Sequence, residues 1–70
     1  MAEVRAEMVA NVWKVVAAEG DQVDDGDTLV ILESMKMEIP VVAESPGTIT
    51  SMHVAEGDVV QEGDLIAVID

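Results

Sequence analysis

At 70 residues the chain has room for one small domain with a thin core, since a domain this size buries only about 60% of its unfolded surface. Half of the residues are apolar, a globular composition, and the absence of cysteine excludes disulfides, thiolate metal sites and a thiol nucleophile. Fifteen carboxylates against three basic side chains give a net charge of −12, which repels phosphate backbones and anionic headgroups and argues against nucleic-acid and membrane binding.

The opening residues, Met1-Ala2-Glu3-Val4-Arg5, lack the basic-then-apolar pattern of a signal peptide, so a cytoplasmic chain is expected. Apolar runs such as Leu29–Leu32 are far too short to cross a bilayer. Val4 and Ala6 begin the first apolar alternation. Val12, Val15 and Val16 form a β-rich run, and Leu29, Val30 and Ile31 form another. Between them, Glu19-Gly20-Asp21 and Asp24-Asp25-Gly26-Asp27 read as polar corners whose glycines take a positive φ.

After a join at residues 34–40, the chain repeats itself. Residues 41–70 match residues 4–33 at a constant offset, without a gap. Ten positions are identical: Val4/Val41, Ala6/Ala43, Glu7/Glu44, Ala18/Ala55, Glu19/Glu56, Gly20/Gly57, Asp21/Asp58, Val23/Val60, Gly26/Gly63 and Asp27/Asp64. Chance would give roughly two in ordinary compositions. No window of helical length keeps an apolar period of 3.6 without crossing a glycine corner. The expected fold is therefore all-β, with about eight short strands, four from each copy. Two small sheets close on a shared apolar centre about a pseudo-twofold axis. The join becomes a hairpin at one end, with Lys36 at its turn, and the termini lie near the other end.

Comparing the copies separates inside from outside. Eight matched pairs are apolar in both copies and form the expected core: Val4/Val41, Ala6/Ala43, Val12/Ile49, Val15/Met52, Ala17/Val54, Val23/Val60, Leu29/Ile66 and Ile31/Val68. The spacing 12, 15, 17 breaks strict alternation and calls for a β-bulge. Trp13, Lys14 and Val16 match Thr50, Ser51 and His53, so these positions are expected to face water. For Trp13, the only aromatic residue, exposure would suit a partner anchor. His53 has no carboxylate at a recognisable spacing and is assigned no chemistry.

The join carries Glu33-Ser34-Met35-Lys36-Met37-Glu38, where a structural turn would use Gly, Asn or Asp. Lys14 and Lys36 are the only lysines, and Lys36 has no counterpart in either copy. This segment resembles the attachment motif of biotinyl domains in the biotinyl/lipoyl barrel-sandwich (hammerhead) family. The duplication, the Glu-Gly-Asp corners and Ser45-Pro46-Gly47-Thr48-Ile49 extend the resemblance over nearly the whole chain. In place of the Pro-Met-Pro-Gly-like segment of many relatives stands Glu7-Met8-Val9-Ala10-Asn11. The gapless copies leave no room for the protruding thumb of some bacterial relatives.

The resemblance implies that Lys36 carries covalent biotin, with Met35 and Met37 as the context read by biotin protein ligase. It implies a carrier rather than an enzyme. The biotin would shuttle an activated carboxyl group between the biotin carboxylase and carboxyltransferase components of a biotin-dependent, acyl-CoA or similar, carboxylase. Attachment needs an activated acyl donor, biotinyl-adenylate, and the ligase must activate the amine. A monomeric, free-standing domain is expected. Two alternatives remain at this point: a lipoyl carrier, for which the usual Asp-Lys-Ala hairpin is absent, and an unmodified interaction module on the same scaffold.

Overall fold

The computed structural model describes residues 1–70. Every regular element is a strand: β1 (Ala2–Arg5), β2 (Ala10–Val15), β3 (Gln22–Val23), β4 (Thr28–Ser34), β5 (Met37–Val42), β6 (Gly47–Met52), β7 (Val59–Val60) and β8 (Leu65–Ile69). They form two antiparallel four-stranded sheets, ordered β1-β8-β6-β3 and β5-β4-β2-β7. Exchanging β1–β4 for β5–β8 turns either order into the other, which is the pseudo-twofold expected from the repeat. The all-β barrel-sandwich read from the sequence is the fold.

Each sheet draws strands from both copies. The backbone links between the copies recur in matched pairs: Ala6 N–H donates to Asp64 O at 2.9 Å and Ala43 N–H to Asp27 O at 2.8 Å. Glycines at the four corners have φ between 91° and 94°. At each corner an aspartate accepts a hydrogen bond from the backbone three residues earlier, Asp21 from Ala18 and Asp58 from Ala55, for example, both at 2.9 Å. Asp27 and Asp64 do the same at the other two corners. Glu19 and Glu56 reach across to the Met52 and Val15 backbone N–H groups. Part of the acidity is therefore structural.

Four residues are inserted into the ladders, again in matched pairs. Trp13 lies unpaired between Val12↔Leu32 and Lys14↔Ile31, as Thr50 does between Ile49↔Ile69 and Ser51↔Val68. These are the bulges called for by the spacing 12, 15, 17. Leu29 and Ile66 are the second pair.

The second pair corrects the core. Fourteen residues are buried, all apolar. Nine of the sixteen expected side chains are among them: Ala6, Val12, Ala17, Val23, Leu29, Ala43, Ile49, Val60 and Ile66. Val4, Val15, Val41, Met52 and Val54 are half-buried against that cluster. Ile31 and Val68 do not pack against it. A bulge at Leu29 and Ile66 reverses the alternation, so Val30 and Leu32 turn inward with Ala67 and Ile69. Ala10 is buried as well, within the segment that departs from the family pattern.

Ala10 matches Gly47, and only the second site needs glycine. A Cβ on Gly47 would lie 2.6 Å from Ile69 Cγ2 and 2.9 Å from the Asp70 carbonyl oxygen. The carbonyl cannot retreat, because Thr48 and Asp70 exchange both backbone hydrogen bonds there. Gly47→Ala is expected to cost about 1–3 kcal/mol through overpacking. A lowered midpoint in urea unfolding checks this, and an unchanged midpoint would mean the β6–β8 edge is not closed as described.

Candidate functional site

The β4–β5 hairpin closes with Ser34 opposite Met37, leaving Met35 and Lys36 as its two-residue turn. Both have positive φ, 53° and 65°, the left-handed pair that a tight type I′ hairpin turn requires. Asn-Gly would adopt it readily. In L-residues with a Cβ, each such conformation costs about 1–2 kcal/mol. The turn therefore holds two side chains at a strained apex where small residues would be more stable. Met-Lys signalled unusual turn chemistry in the sequence; the left-handed pair itself had no direct signal there.

The site is fully open. Met35 is 92% exposed and Met37 64% exposed, with Lys36 exposed between them. The ion pairs of the chain are Met1 amine–Asp70 and Arg5–Glu3, so the Lys36 ammonium is tied to no carboxylate. Glu33 and Glu38 sit opposite each other at the hairpin neck. Lys14, by contrast, lies along β2 with its Nζ 5.4 Å from the Trp13 ring centroid, in cation–π range. Trp13 is 42% exposed, as its match to Thr50 indicated.

The apex lies at one pole of a molecule 31 Å long and 17 Å wide. Its symmetry counterpart is the pairing of β8 with β1, where the chain ends. Gly20, past the far end of β2, donates to Ile49 O, and Ile49 pairs with Ile69. Hairpin and termini thus occupy opposite poles.

The remaining chemistry is sparse. No cluster of three or more His, Cys, Asp or Glu side chains could hold a metal. Ser51 Oγ and His53 Nε2 are hydrogen-bonded at 2.9 Å, both on the surface. A groove of about 420 Å³ runs between β1 and β5, over Val4, Val41, Leu32 and Ile39. It marks the seam where those two edge strands face each other, and no residue from 33 to 38 lines it. The amine at the apex is the one reactive group presented without a partner, and its free approach suits an attached cofactor.

Comparison with known proteins agrees in detail. Residues 2–69 match the biotin/lipoyl family model, described as "Biotin-requiring enzyme". A biotinylated protein TB7.3 homolog of Mycobacterium leprae is 63% identical over 67 residues, covering 96% of this chain and 94% of the relative. The biotin-dependent acyl-coenzyme A carboxylase alpha3 subunit of the same organism is 51% identical over 51 residues, which is 73% of this chain and 8% of that protein. In three dimensions the chain superimposes on part of the Kluyveromyces lactis urea carboxylase with a TM-score of 0.92 at 40% identity. That match covers 99% of this chain and 6% of the carboxylase. Matched from its first strand to its last, the chain belongs to the biotin/lipoyl family of biotin-requiring domains.

Proposed function

We propose that the chain is a biotin carboxyl carrier with Lys36 as its attachment residue. The observation that carries this reading is the unpaired amine held at the apex by two left-handed residues. Biotin protein ligase would join the biotin carboxyl group to Nζ as an amide; the ammonium gives up its protons and adenylate leaves as AMP. Bound biotin supplies a ring nitrogen that accepts and releases a carboxyl group. The chain contributes what surrounds that chemistry. It positions the arm at a pole clear of the body, holds the hairpin neck rigid, and keeps its own carboxylates out of contact with the amine. Tethering also sets a local concentration of order millimolar for the attached group.

Similarity to parts of urea and acyl-CoA carboxylases supports biotin carboxylase and carboxyltransferase components as the partners. In this reading the chain acts as a carrier and leaves catalysis to those partners. Protein co-expressed with a bacterial biotin protein ligase and excess biotin should gain one biotinyl group, mapped by peptide mass spectrometry to Lys36. An unmodified protein, or an adduct on Lys14 or the amino terminus, would overturn the assignment.

The methionines set the choice of cofactor in this reading. Met35→Asp with Met37→Ala should lose biotinylation and become a substrate for a lipoyl ligase. Because both side chains are largely exposed, the thermal midpoint should shift little. Biotinylation at the parental rate would show that the methionines are not read.

A further inference from the structure

Resting on Lys36 as the attachment residue, we infer that the ligase seats on the outer face of the β5-β4-β2-β7 sheet, anchored by Trp13 and Val59. The molecule supplies its own control. The two sheets share one strand order and one pattern of bulges, so the scaffold makes the same demands on both outer faces. Their side chains nevertheless differ. Trp13 stands where the other sheet has Thr50, and Val59 where it has Gln22. Trp13 is 42% and Val59 64% exposed, and neither belongs to the core cluster. Folding does not call for these apolar groups, since the other sheet folds with polar ones.

The exposed groups form a strip that leads to the hairpin. Lys14, beside Trp13, pairs with half-buried Ile31, and Ile31 pairs with exposed Pro40. Val59 pairs with Asn11, which pairs with Glu33 at the hairpin neck. Trp13 sits four to five rungs from Lys36, about 15 Å at roughly 3.3 Å per residue. A protein contact of ordinary size covers roughly 800 Å² on each partner, a disc of about 16 Å radius. An enzyme that holds the Lys36 amine on this side therefore reaches the indole. Glu33 and Glu38 lie between strip and lysine, so the complementary surface is an apolar cleft for the indole with a basic fringe.

The test exchanges each residue for the one the opposite sheet already carries. Steady-state biotinylation of apo-protein by a purified bacterial biotin protein ligase is compared between the parent chain and Trp13→Thr with Val59→Gln. KM for the apo-protein should rise at least tenfold, with kcat within twofold. Gln22→Ala with Thr50→Ala, on the opposite face, should leave both parameters at parental values. Unchanged KM in the first variant, or an equal rise in the second, overturns the seat. A direct reading needs no variant: with 5-fluorotryptophan at Trp13, its single fluorine resonance should shift or broaden on titration with unlabelled ligase. A resonance that stays in place overturns the proposal even if the variants misfold. Failure of the parent to be modified at Lys36 would instead remove the function on which the seat rests.

Discussion

Lys36→Arg is expected to give a folded protein with no biotinyl adduct under conditions that modify the parent to completion. Arginine keeps the positive charge and a long flexible stem, but its guanidinium does not lose a proton in proteins and is no acyl acceptor. It also tolerates the left-handed turn no worse than lysine does. Stability should stay within about 0.5 kcal/mol of the parent, because the replaced side chain is exposed and makes no ion pair. Lys14 offers no second route. Its backbone is part of a paired strand and its amine lies against the Trp13 ring, so it cannot be threaded into an active site as a turn can. Intact mass after co-expression with the ligase reads the result. Residual adduct on Lys14 would show that position along a strand does not protect an amine.

The second large effect lies in the core. Leu32→Ala is expected to destabilise the chain by about 2–5 kcal/mol, since Leu32 is 1% exposed and the cavity cannot collapse fully. A chain of this length has only about 4–10 kcal/mol to lose, so much of the population should unfold at 37 °C. Ile31→Ala, one residue away, should cost under about 1.5 kcal/mol, because Ile31 stands on the outer side of the bulge. Urea unfolding of the pair measures the contrast. Equal losses would mean that the Leu29 bulge does not reverse the alternation.

That contrast also marks where the sequence stops being readable. The strands, the corners and the fold followed from the duplication, because matched positions that stay apolar must face the same interior. The first bulge was legible from the spacing of Val12, Val15 and Ala17. The second was not: Leu29, Val30, Ile31 and Leu32 are all apolar, and a run without polar residues carries no phase. Matching the copies alone therefore points Ile31 and Val68 inward and passes over Leu32 and Ile69, which the bulge buries. At the apex, residue type alone singles out Lys36. The left-handed conformation of Met35 and Lys36 was hidden, because only hairpin length and pairing fix it.

Four of the six strand pairings join one copy to the other: β1 with β8, β2 with β7, β3 with β6 and β4 with β5. A peptide holding a single copy would keep one hairpin-like pair and leave its other strands without neighbours. Two such peptides, however, could supply each other with every missing partner, because each sheet is completed by the opposite half. A half-length chain with this wiring would complete its sheets only as an intertwined homodimer. Such an assembly would carry two identical poles. Joining two such halves through residues 34–40 closes one pole into a loop, so that equal halves bear a single handle there.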